Sequence, residues 1–271
     1  MEKPILNVNR LGRVKQEEVE PILEILKGFY RRLPENERPE LVELYVYEGR
    51  SEMQGFLSLE AESLGVIYPH DEAYVAMHEA WAGIPRIHVC LEDKESLPEE
   101  VFRAALIHEA AHSVLHGSPE YYVVTVPENL AEEFYKRGFS REELLHIAYL
   151  LAVAIKDREV SELLTRLSYQ KIMKTFADHM LKIEEIDQQI WKIASKESRT
   201  ALIYLCHILK TLASLNSKPE KAIQNSAGFL PLKAREALSR IMEGIGGKGS
   251  FYEKMIHALK QTLTAFNGLH P

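Results

Sequence analysis

Hydrophobic positions divide the 271-residue chain into three zones with different periods. Between residues 16 and 32, Val19, Ile22, Leu23, Ile25 and Leu26 recur at helical spacing, which predicts a helix that stops near Pro34. After Pro39 the period becomes two. Val42, Leu44 and Val46 alternate with Glu43, Tyr45 and Tyr47, as in a half-buried strand ended by Gly49. Further strands are predicted at 54–59, 65–68, 74–81 and 85–91, the last two joined through Ala82-Gly83-Ile84 as a hairpin. From Leu97 the period is helical again. Pro98-Glu99-Glu100 opens a helix that runs to Leu115 or His116, with Gly117 expected as a left-handed stop. The stretch 121–126 reads as a strand or an extended loop. Ser140 and Glu143 form a capping box for a long helix reaching about Leu164. Beyond Leu167 helices are expected at 172–195, 199–215, 231–243 and 251–266. The predicted fold is α+β: a small, mostly antiparallel sheet packed on helices in a domain spanning 1–165, followed by an all-helical region, 166–271.

Composition narrows the function classes. A net charge of −7 gives no bulk basic footprint for a nucleic-acid backbone. Two cysteines, Cys90 and Cys206, cannot build a disulfide framework or a cysteine-rich metal site. No secretory signal opens the chain, and its most apolar run, 146–155, falls well short of the roughly 20 residues a membrane helix needs. A soluble cytoplasmic protein is expected, with neither a nucleic acid nor a membrane as partner.

The chemistry concentrates in Ala104–Gly117, which contains His108-Glu109-Ala110-Ala111-His112. Two histidines four apart on a helix differ by about 40° around its axis and stand one turn apart, so both imidazoles reach one ion. Zinc suits neutral imidazole and acidifies a bound water, and the Glu beside the first His is placed to take that water's proton. With 11 His and 35 Glu in the chain, chance alone supplies roughly 0.06 such motifs. Val101, Ala105, Leu106, Val114 and Leu115 embed it in an apolar helix, where unsatisfied polar groups are costly.

These residues resemble the active-site helix of the zincin metallopeptidases. The resemblance covers about twenty residues closely and, more loosely, the strands before the helix from Val42 onward. It implies that His108 and His112 bind zinc, that Glu109 is the general base, and that a strand beside the cleft, with 85–91 and its neighbours as candidates, takes the substrate backbone by strand addition. The substrate would be a peptide or protein. The metzincin continuation is excluded, since Ser113-Val114-Leu115-His116-Gly117 lacks its Gly and His spacing. His116 lies about 12 Å along the axis from His108, too far for all three to share one ion, and reads as a cation at a helix C-terminus.

Gluzincins take a third ligand from a Glu on a later helix, although neither their NExxSD nor their ExxAD form occurs here. The nearest substitute is Lys156-Asp157-Arg158-Glu159 in the long helix. Glu159 falls with Ala148, Ala152, Ile155 and Leu163, near the mean apolar direction, and Asp157 falls with Leu150, Val153 and Leu164. Glu159 is the expected third ligand, with Asp157 and Glu133 as alternatives. Tyr121 and Tyr122 are open candidates for an oxyanion donor. His78-Glu79 and His88 read as ordinary strand residues, and 244–250 lacks the order of a phosphate loop. The expected activity is zinc-dependent hydrolysis of peptide or related amide bonds. The competing expectation is a zincin-fold binding or regulatory module without peptidase activity.

Overall fold

The computed structural model describes residues 3–66, 75–180, 185–215 and 219–269. In chain order these form β1 (Ile5–Leu11), α1 (Gln16–Tyr30), β2 (Leu41–Tyr47), α2 (Arg50–Leu64), β3 (Ala76–Glu79), β4 (Arg86–Cys90), α3 (Leu91–Glu95), α4 (Glu99–Leu115), α5 (Glu128–Lys136) and α6 (Arg141–Arg166). They continue with α7 (Gln170–Met180), α8 (Glu185–Ala194), α9 (Ser198–Ala213), α10 (Pro219–Ser226), α11 (Leu232–Ile245) and α12 (Phe251–Leu269). The chain divides into two compact units: Met1–Val123 with Arg166–Phe176, and Val124–Thr165 with Ala177–Pro271. The units do not follow the linear boundary expected at 165. Most of α6 belongs with the later helices, and the short segment after it belongs with the sheet.

The first unit is built on a four-stranded sheet of order β1-β2-β4-β3. Among the described residues β1 pairs parallel to β2, β2 pairs parallel to β4, and only β3–β4 is antiparallel. The expected mostly antiparallel sheet is therefore corrected to a mixed one in which parallel pairs predominate. A parallel pair needs a crossover, and α1 supplies it between β1 and β2. The predicted hairpin is present, with Gly83 at φ +84° in its connection. Alternation fixes the two faces of the sheet. Val42, Leu44, Val46, Ile87 and Val89 are buried on one face, where α4 lies against β3 and β4 and α1 packs on α4. Glu43, Tyr45, Tyr47, Arg86, His88 and Cys90 share the other by register, and there Met53, Leu57 and Ala61 of α2 cluster with Tyr47 and Cys90. Each large apolar side chain buried this way contributes about 1.5–3 kcal/mol.

Three local expectations change. Residues 54–59 are helical, because Met53, Leu57 and Ala61 bury a four-residue period while Leu59 is 71% exposed. Gly65 ends that helix in the left-handed conformation at φ +67°, and the rest of the predicted strand at 65–68 lies largely outside the described residues. Gly117 is not left-handed; a Cβ there would lie 2.8 Å from the Ser113 carbonyl oxygen, so close approach explains the glycine.

The second unit is helical. Its core joins Leu130 and Phe134 of α5, Leu144, Ile147, Leu151 and Ile155 of α6, Leu205 and Leu209 of α9, Leu238 and Ile241 of α11, and Leu259 and Phe266 of α12. The Ser140–Glu143 capping box is formed, each side chain pairing with the other residue's backbone N–H at 3.1 and 2.7 Å. No described helix is long and apolar enough to cross a membrane.

Candidate functional site

α4 starts after Pro98 with Glu99 and Glu100 in its first turn, where acids complement the positive end of the helix. Val101, Phe102, Ala104, Ala105, Leu106 and Ala111 are buried, and α4 lies against α1, β3 and β4. It is tied to α1 by a polar link: the Tyr30 hydroxyl donates to Ser113 Oγ at 2.7 Å, and Ser113 Oγ donates to the Ala110 carbonyl at 2.7 Å. Burial raises the Tyr30 phenol well above its ordinary pKa, so the donor stays neutral. The helix that carries the histidines is thus fixed in rotation.

His108 and His112 are buried, and their Nε2 atoms lie 3.1 Å apart with the rings edge to face. Two imidazole nitrogens bound at 2.0–2.1 Å to one tetrahedral zinc stand about 3.3 Å apart, so this pair fits a shared ion. Glu109 is half-buried beside the first of them. Phe176 stacks on His108 with ring centroids 5.7 Å apart.

Two further histidines adjoin the pair. His116, read from sequence as a cation at the helix C-terminus, is fully buried, its Nδ1 3.0 Å from Nδ1 of His112. Tyr121 meets its ring edge-on. His78 belongs by register to the α4 face of β3, where its ring lies parallel to that of His112 at 6.0 Å. His78 Nδ1 and the Tyr122 hydroxyl are hydrogen-bonded at 2.8 Å. The Tyr122 phenol is pushed well above its ordinary pKa, chiefly by burial and then by the negative charges of Glu79 and Glu109. The motif therefore sits within a group of four imidazoles and one neutral phenol.

The neighbouring residue, Glu79, faces the other side of the sheet and is fully buried. Its carboxylate accepts the Trp81 backbone N–H at 2.6 Å and lies 3.2 Å from His88 Nε2 and 3.5 Å from the Arg86 guanidinium. Arg86 also pairs with Glu43 and Glu60, and His88 Nδ1 is hydrogen-bonded to the Tyr47 hydroxyl at 2.9 Å. This second cluster carries charges of both signs and closes the end of the hairpin. Sequence patterning found His108 and His112 but missed His78, His116 and the Arg86–Glu79–His88 cluster. Strand alternation sets His78 and Glu79 on opposite faces, and the register of β3 on β4 shows which face each one serves.

The acids considered as third ligands all lie in the helical unit. Glu159 is held by Lys254, whose ammonium lies 2.6 Å from its Oε1. Glu133 is paired with Lys136 at 2.9 Å and Arg137 at 2.8 Å, which hold its carboxyl below the ordinary range. Asp157 is half-buried on α6, two residues before Glu159. The strand 85–91, a candidate substrate edge, is interior: β4 pairs with β2 and β3 on its two sides, and among the described residues β1 and β3 are the outer strands. Comparison of the chain with protein-family models, curated proteins and solved structures finds no match.

Proposed function

We propose that the protein is a zinc-dependent peptidase of the gluzincin-like HExxH type, with His108 and His112 as metal ligands and Glu109 as general base. The observation that carries this reading is the convergence of the two Nε2 atoms to 3.1 Å on a rotationally fixed helix. A bound zinc ion would supply Lewis acidity, polarising a carbonyl and lowering the pKa of a coordinated water to about 7. Glu109 takes the proton of the attacking water and returns it to the leaving amine. Among the described residues β3 pairs only with β4, so its outer side offers a place for an extended peptide to add as a strand.

The Lys254 ammonium on Glu159 competes with any cation for that carboxylate.

The experiment compares wild type, Glu109→Gln and chelator-treated protein by metal analysis and peptide-library digestion. Wild type should hold about one zinc per chain, and Glu109→Gln should keep the zinc while losing about 10²–10⁴-fold in rate. Folded protein that takes up no zinc when supplied with it, or a Glu109→Gln variant as active as wild type, would sink this reading. Zinc binding without cleavage would favour the binding module.

A further inference from the structure

The fourfold spacing of His108 continues past His112 to His116, and the last histidine is the best buried of the three. His112 therefore meets a histidine at each ring nitrogen: His108 through Nε2 at 3.1 Å and His116 through Nδ1 at 3.0 Å. A neutral imidazole has one N–H and one lone pair. If the His112 Nε2 lone pair is turned to a metal shared with His108, its only proton resides on Nδ1. That proton needs an acceptor, and the atom in place is Nδ1 of His116. His116 must then carry its own proton on Nε2. The backbone fixes the same pair, since the His116 N–H donates to the His112 carbonyl at 2.7 Å. The parallel ring of His78 lies over His112 on its β3 side.

Resting on the zinc reading above, we propose that His116 is the positioning residue of the His112 ligand. By accepting the Nδ1–H of His112 it selects the tautomer and ring orientation that direct Nε2 to the shared point. A partner of this kind is worth about 10–100-fold in metal affinity.

The test pairs two substitutions with opposite geometry. In His116→Asn the side-chain oxygen can stand where Nδ1 stood, whereas in His116→Gln it stands nearer the place of Nε2. Zinc affinity is read by competition with a chromophoric chelator, and folding by thermal melting. The Gln variant should bind zinc about 10–100-fold more weakly and the Asn variant close to wild type. Nitrogen-15 spectra of zinc-loaded wild type, which need no variant to fold, should show His112 protonated on Nδ1 and His116 on Nε2. Equal affinity for wild type and His116→Gln, or a proton on Nδ1 of His116, would overturn the positioning role while leaving the zinc site intact. A wild type that binds no zinc would remove both readings.

Discussion

The two faces of the sheet solve the same problem in different ways. Both bury titratable side chains beside strands β3 and β4. On the α2 face the groups are charged and closed among themselves: Arg86 is surrounded by Glu43, Glu60 and Glu79, and His88 bridges Glu79 to Tyr47. On the α4 face they are imidazoles set nitrogen to nitrogen. A buried charge must be matched locally or the fold loses several kcal/mol, so the first arrangement is committed to holding the hairpin. Neutral imidazoles bury at lower cost, and two facing nitrogens make a place for a shared cation. Burial of polar groups alone would have marked both faces as sites. The sign and closure of the charges separate them.

The strongest way to break this distinction is a crossed pair of substitutions. His112→Ala should lose nearly all zinc while the protein stays folded, because the remaining ligands bind weakly. Arg86→Met should keep its zinc but cost about 3–5 kcal/mol in denaturant unfolding, since it strands the fully buried Glu79. Swapped outcomes would reverse the assignment of the faces.

A further contrast, one of pH, concerns the thiols. Burial pushes Cys90, beside α2, up to about 11, and Cys206, in the helical core, up to about 12. Above the ordinary thiol pKa the unfolded chain releases these protons and the native protein keeps them. Stability should therefore be intact below about pH 8.5 and decline as pH rises through 9 to 11, by about 1.4 kcal/mol per pH unit for each thiol. Cys206→Ala should flatten the decline in melts between those values. An unchanged slope would show that other groups set it.

How much of this was legible before the structure follows from the range of each signal. α4 and its histidines stood out because their spacing is local, as did the alternation of β2 and the hairpin glycine. β1 escaped because Asn7, Asn9 and Arg10 interrupt an edge strand, and the parallel pairing on both sides of β2 leaves no mark in neighbouring residues. Helical spacing correctly gave Glu159 a partly sheltered position, with 21% of its side chain exposed, but its partner lies 95 residues away. His116 was discounted as a ligand on its distance from His108. That argument stands, yet it could not show what the ring does for His112.

The β3–β4 hairpin has a consequence for how this chain can vary. Because His78 and Glu79 point to opposite faces, the connection between Glu79 and Arg86 sets a parity as well as a length. One residue added or removed there would slide β3 by one place, offering a carboxylate to the imidazoles and an imidazole to the guanidinium. Two residues would restore each to its own side. The loop should therefore tolerate changes in even steps and reject odd ones, although its glycine has room around it.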